Sequence, residues 1–461
     1  MVKIAPFRGV VYNKSKFEEA GGLLLAPPYD VVSRAQRQAV LDSHPYNFMH
    51  LDLGPVLPGD ADHMSWHDRS ASTLSAWTNS GVLVRREQPS VVMMDTDWVH
   101  PVTGRRMTRH GMLCLVKLEP PSREARIKPH EKTFSFNKEE RLDLMEKTRC
   151  QLSPVFGFFP DPEDKIIRRM YDLAGDPDLT VAEPSGLSHQ ISFLQANSHL
   201  AELVGALADS TVYLADGHHR YETALNYRAR VLAELARNGQ EPAPNSALDY
   251  VLIYLCSMAD PGLCVLPTHR VLREIDLSDE EILAALEPFA QIKTFPWSKE
   301  GGDAGALAEL ARKLRRDDSK GLAVYGLSLR GSDKYYFLKI RELVRHKLAR
   351  ARPEEAALAS LDVSILNVVF KEALGLTEAD LDDPVRIDYF SETAAALEAV
   401  RNNGGRAAFI LNHTSLVEIL KVTEEGLCMP RKSTYFYPKV SSGVVFNLVN
   451  PMESVPEIAS P

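Results

Sequence analysis

Cysteine is scarce in this chain of 461 residues. The five present, Cys114, Cys150, Cys256, Cys264 and Cys428, are odd in number, scattered and without a Cys-x-x-Cys pair. That spacing excludes a disulfide framework and a cysteine zinc site, and it points to reduced thiols. Long apolar runs are missing too: nothing approaches bilayer length, and Met1 to Arg8 lacks the apolar segment of a signal peptide, so the expected location is the cytoplasm and no membrane partner is expected. Positive charge is in deficit, with 53 basic against 62 acidic residues and a net charge of −9. Duplex affinity comes mainly from neutralising phosphates, so with no basic tail and no clear helix-turn-helix pattern, nucleic acid is not an expected partner. A P-loop is absent as well, because Gly301 to Gly305 lacks a following Gly-Lys-Ser/Thr and follows no clear strand. One common ATP-binding solution is thereby removed, and others remain.

What is present is the balance of an ordinary globular chain, 44% hydrophobic and 25% charged, long enough for two or three domains. Its organising stretch is Ala215-Asp216-Gly217-His218-His219-Arg220-Tyr221. Before it, Thr211 to Leu214 reads as a short buried strand; after it, Ala224, Leu225, Val231, Leu232 and Leu235 recur at helical spacing up to Arg237. The motif is therefore a strand-to-helix turn, with Gly217 allowing the sharp backbone reversal and the helix start favouring an anion. Asp216 can hold a divalent cation or accept a proton, the histidines can donate to phosphate or exchange protons near neutral pH, and Arg220 can grip two oxygens of one anion. A merely polar turn is the competing reading.

Other stretches have the same double character. Pro27 and Pro28 stiffen the turn that carries Tyr29 and Asp30, and Ser33 is placed to cap a helix around Ala35 to Asp42. Asp30 either does chemistry or braces its own turn. Met49 to Asp52 and Val91 to Asp95 read as strands, with a helix carrying Trp66 and Trp77 between them, which argues for a mixed α/β core. Arg105 to His110 reads as a hairpin arm or solvated strand without assigned chemistry. His130, Glu131 and Lys132 lie in a loop before a helix capped by Asn137 and Glu140 that runs to about Arg149, and they combine a phosphate donor, a base or metal ligand, and a cation; three solvated charges are the alternative. Tyr250 to Ser257 is a continuous apolar strand, and Thr268, His269 and Arg270 follow a second apolar run. Ser278 and Glu281 form a capping box. Near the end, Arg431, Lys432 and Lys439 with Ser433 and Thr434 suit a second anion grip, or else an edge strand protected by lysines. The tail from Pro451 is expected to be poorly ordered.

The Asp-Gly-His-His-Arg turn resembles that of the free-serine kinases, which have a ParB/sulfiredoxin-like fold. Together with Ala26 to Val31, His130 to Thr133, Leu152 to Gly157, Leu266 to Arg270 and Met429 to Lys439, it also resembles a widespread prokaryotic family of unassigned function often labelled ParB-like. These motifs span nearly the whole chain in order. The resemblance implies an α/β (mixed α+β) fold: a ParB/sulfiredoxin-like core with an N-terminal α/β region over 1–290, a small α/β layer over 291–375, and a C-terminal α/β segment with a phosphate-grip loop over 376–461. It further implies a phosphotransferase forming O-phospho-L-serine from L-serine, with pyrophosphate or a nucleotide as donor and Mg²⁺ as cofactor. In that reading Asp216, His218, Glu131 and Asp30 are the catalytic candidates and Asp216 the metal ligand. His219, Arg220, His130, Lys132, Arg270, Lys432, Ser433 and Thr434 hold phosphate. A non-enzymatic nucleotide-binding regulator and a phosphohydrolase remain open, as does a homo-oligomer.

Overall fold

The computed structural model describes all residues except 56, 58–63, 132–134, 299–301, 352–354, 384, 403 and 458–461. The chain forms two compact units. One holds residues 1–129, 133–264 and 438–461, the other residues 130–132 and 265–437. These divisions fall at 264 and 437, where the sequence placed boundaries at 290 and 375.

The first unit is a mixed α/β structure built on a ten-stranded sheet. Its main path runs Leu179–Ala182, Ser188–Gln195, Ser90–Val99, Met112–Lys117, Tyr250–Ser257, Val155–Phe159, Val212–Asp216 and Ile127–Lys128. Most neighbours are antiparallel, but Val155–Phe159 runs parallel to Tyr250–Ser257, and Ile127–Lys128 runs parallel to Val212–Asp216. The eight residues Tyr250–Ser257 are all buried, which is why this strand reads as a continuous apolar run rather than an alternating one. Side chains alternate across it. Val251, Ile253 and Leu255 join Val155, Phe159 and Leu214 in one core that also receives Ile167 and Met170 from one helix and Tyr221 and Ala224 from another. Phe156 and Tyr254, of opposite parity, pack against each other with ring centroids 5.4 Å apart.

The second unit is a six-stranded antiparallel sheet in the order Ala290–Pro296, Lys334–Ile340, Val324–Leu329, Ala407–Ile410, His269–Leu272, Ile387–Phe390. Val271, Leu310, Phe337, Leu397 and Ile410 are in its core.

Several local expectations change. Met49–Asp52 is a helical turn, not a strand, because four residues alternating apolar and polar are too few for periodicity to choose, and the Asn47 side chain accepts from the Met49 N–H at 2.8 Å to start the turn. The helix expected from Asn137 begins at Ser135, so Asn137 lies inside the first turn rather than at the cap. The tail is tied down as far as Val455: the Val455 N–H donates to Asn245 at 2.9 Å, and the Ala247 N–H donates to Glu453 at 2.8 Å. All five cysteines are free thiols. Among the described residues no helix is long and apolar enough to cross a membrane.

Candidate functional site

The strand Val212–Asp216 ends in the first unit with a register shift between Leu214 and Asp216, so that Asp216 comes to lie opposite Phe156. Gly217 follows with φ +81°, and the helix His218–Arg237 begins at once. The two histidines are therefore the first residues of a 20-residue helix, not part of a turn that ends at Tyr221. Glycine is required at 217 on two counts. Its φ is left-handed, and a Cβ there would stand 2.9 Å from Arg220 Nε.

Asp216 is the hub. Arg220 Nη2 donates to its Oδ2 at 2.6 Å, and Lys439 Nζ donates to its Oδ1 at 2.6 Å. Burial by itself would raise the Asp216 pKa, but Lys439 and Arg220 outweigh it and hold the carboxyl well below the usual range, with His218 adding in the same direction. Arg220 also donates through Nη1 to the Pro154 carbonyl, and its guanidinium lies 5.9 Å from the Tyr29 ring. Burial works against the Arg220 charge, whereas Asp216 and Asp30 favour it. Asp30 itself is exposed on the short 3₁₀ turn Tyr29–Val31.

A third cation packs on the ring of Phe156, the strand partner of Asp216. Arg109 is fully buried, its guanidinium 4.8 Å from the Phe156 ring and 5.0 Å from the Tyr254 ring. It donates to the carbonyl of Pro438, next to Lys439 in the chain, while its Nε and Nη2 make no hydrogen bond among the described residues. No carboxylate pairs with it among the described residues. Phe156 thus has Asp216 as its strand partner and Arg109 over its ring.

The sequence missed Arg109, and it placed Lys439 in a second anion grip rather than beside Asp216. The signal for Lys439 was its place at the end of a cation-rich stretch; for Arg109 it was an arginine directly before a buried run, which composition cannot tell from a solvated hairpin.

The second unit gathers another set. His130 Nε2 and Thr434 Oγ1 are 2.9 Å apart, and Glu131 Oε1 accepts from the Lys432 N–H at 3.1 Å. Arg270 donates to the Thr268 carbonyl at 2.7 Å and to the Lys432 carbonyl at 3.3 Å, and Thr268 Oγ1 donates to that same Lys432 carbonyl at 2.6 Å. Ser433 Oγ donates to Pro430. His130, Glu131, Arg270, Lys432, Ser433 and Thr434, read from three distant stretches, therefore converge within that unit, while Asp30, Asp216, His218, His219 and Arg220 belong to the first. Lys132 lies outside the described residues.

As a resident metal ligand Asp216 fits poorly, because each of its oxygens already accepts from a cation. Among the described residues no group of three His, Cys, Asp or Glu side chains is placed to hold a metal ion. The arrangement suits a multiply charged anion instead. Arg220 and Lys439 both bond the one carboxylate of Asp216, directly before the positive end of a long helix.

No curated protein matches the chain. Among solved structures, a free serine kinase in complex with AMP is 12% identical with a TM-score of 0.33, over 72% of this chain and 86% of that one. A mutant free serine kinase in complex with ADP is 13% identical with a TM-score of 0.31, over 72% and 87%. SbnI with a C-terminal truncation, from Staphylococcus aureus, is 9% identical with a TM-score of 0.32, over 71% and 84%. Superpositions this loose establish no residue correspondence. The family model described as protein of unknown function (DUF1015) matches residues 4–364, and the chain belongs to that family.

Proposed function

We propose that this protein is a phosphotransferase that moves a phosphoryl group onto the hydroxyl of free L-serine, with pyrophosphate or a nucleotide as donor. The observation that carries the reading is the pair of cations at the 216–220 turn: Arg220 and Lys439, both bound to the one carboxylate of Asp216. Phosphoryl transfer asks little covalent chemistry of a protein. It needs neutralised oxygens, an in-line hydroxyl and help with one proton.

In this reading Arg220 and Lys439, held by Asp216, neutralise the donor oxygens without reorganising, since both are already fixed by 2.6 Å bonds. His218 and His219, in the first turn of the helix, donate to the phosphate that leaves. Asp30 takes the serine proton; it is exposed, lies in the same unit, and contributes to the field at Arg220. Within the second unit, His130, Arg270, Lys432, Ser433 and Thr434 are a separate set suited to holding phosphate, with Glu131 as its carboxylate. Mg²⁺ enters as the counter-ion of the donor, supplying charge neutralisation, and not as an ion resident on Asp216.

The test is incubation of the purified protein with Mg²⁺ and L-serine, offering pyrophosphate, ADP and ATP separately and detecting O-phosphoserine directly. Product with one donor establishes the reaction and chooses the donor. Donor consumption without phosphoserine makes the protein a phosphohydrolase or directs attention to another acceptor, and nucleotide binding without consumption makes it a regulator. Asp216→Asn and His218→Ala should each lower turnover by orders of magnitude with the fold intact; retained activity in both sinks the assignment.

A further inference from the structure

Beside Arg220 the first unit has a partly open cavity of about 50 Å³ whose walls include Tyr29, Asp52, Arg141, Ser153, Arg220 and Thr223. The polar atoms around it are unevenly satisfied. Asp52 accepts from Arg141 Nη1 at 3.2 Å and from Ser153 Oγ at 2.5 Å. Gln151, also on the wall, donates to the Tyr250 carbonyl and accepts from the Leu252 N–H, both at 2.8 Å. By contrast, Arg141 Nε, Arg220 Nε and Thr223 Oγ1 make no hydrogen bond among the described residues. Arg141 and Thr223 are only 5% and 3% exposed, so solvent does not serve them from outside. The carboxylate and amide oxygens on this wall are satisfied, and what is left over are N–H and O–H groups on two guanidinium-bearing side chains and a hydroxyl.

A cavity with surplus donors and satisfied acceptors calls for an occupant that accepts, and although Arg141 is paired with Asp52 and Glu140 and Arg220 with Asp216, the donors left over on the two guanidinium groups suit the oxygens of an oxyanion. The volume restricts it to a few non-hydrogen atoms. Tyr29 closes one side, its ring lying 4.0 Å from the Arg141 guanidinium and 5.9 Å from that of Arg220. We propose that the cavity walled by Arg141, Arg220 and Thr223 is a binding site for a small oxyanion, either the carboxylate of a compact amino acid or a free phosphate. Arg220 then serves two anions, through Asp216 on one side and through the cavity on the other. The site does not depend on phosphate being transferred.

Titration calorimetry with L-serine, glycine and inorganic phosphate tests this on the full chain, comparing wild type with Thr223→Val and Arg141→Gln. Thr223→Val keeps the side-chain shape and removes the hydroxyl. It should weaken binding at least tenfold, while the ligand-free midpoint of unfolding stays level or rises, since an unpaired buried hydroxyl has been removed. Loss for the two amino acids alone identifies the carboxylate; loss for phosphate alone identifies phosphate. If no probe binds the wild type, or if Thr223→Val binds all three as tightly as wild type does, the proposal is overturned. Arg141→Gln leaves Asp52 and Glu140 without their cation, so its unfolding would be uninformative, and Thr223→Val carries the decision. Binding retained alongside a failed phosphoserine assay would sink only the reaction. Phosphoserine formed without any effect of Thr223→Val on binding would sink only this site.

Discussion

Lys439 is worth more to the hub than its number of contacts suggests. It is the leading favourable influence on the Asp216 charge and is only 13% exposed, so its attraction is little screened by water. Lys439→Met should let the Asp216 pKa climb toward the ordinary carboxylate range and lower turnover about a hundredfold; a pH profile of kcat/KM that gains a new acidic limb would show it. Arg109 is a different case: a buried guanidinium held by rings and one carbonyl. Replacing it by methionine removes an uncompensated charge, so Arg109→Met should keep or raise stability while weakening donor binding, and it should reduce the salt dependence of that binding. A large loss of stability with unchanged donor affinity would make Arg109 structural. Gly217→Ala should cost about 1–2 kcal/mol through its positive φ and should also shift Arg220, so that a urea melt and turnover fall together.

At the scale of elements, caps and long buried strands were the legible features. Ser278 accepts from the Glu281 N–H at 3.2 Å, and Glu281 accepts from the Ser278 N–H at 2.8 Å, closing the capping box that starts the helix Asp279–Leu286. Ser278→Ala should cost about 1 kcal/mol in a urea melt. Ser33 and Gln36 make the same reciprocal pair at the start of Arg34–Ser43. These devices are local: the residues that do the work are three apart in the chain. Met49–Asp52 was misread because its helical turn is decided by Asn47, whose side chain also donates to the carbonyls of Leu23 and Leu25. The Asp216 bulge was likewise invisible, since it exists only as a mismatch with the neighbouring strand.

For the molecule as a whole, pH is the sharpest probe. Asp362 in the second unit is buried beside Asp318 and Glu418, and burial first, then those two charges, push its pKa up to about 8. Folding therefore favours its protonated form. The contribution is fully present below the unfolded value near 4 and is lost as pH rises through about 8. Asp362→Asn should leave stability nearly unchanged at pH 4 and raise it by ~5 kcal/mol at pH 9, measured as the difference between two urea melts. His269 acts oppositely. Burial lowers its pKa to about 4, so folding favours the neutral ring, and the stability it contributes above about pH 6.5 is lost as pH falls through about 4. A wild-type curve alone would blend the two, which is why the variant difference is the measurement.

Sequence by itself determined the mixed α/β character, the strand-to-helix turn at Asp216 to Arg220, the cap at Ser33 and the capping box at Ser278, because each depends on residues near one another in the chain or on composition. It also named the stretches around 130, 270 and 432, though not that His130 would meet Thr434 or that Glu131 would hold the backbone of Lys432. Tertiary structure alone decided that Lys439, 223 positions from Asp216, is its partner, that Arg109 is a buried cation rather than a solvated one, and that Arg141 and Thr223 share a cavity with Arg220. The physical reason is the same in each. A charge acquires its meaning from what surrounds it, and for these residues the surroundings come from strands and loops far apart in the chain.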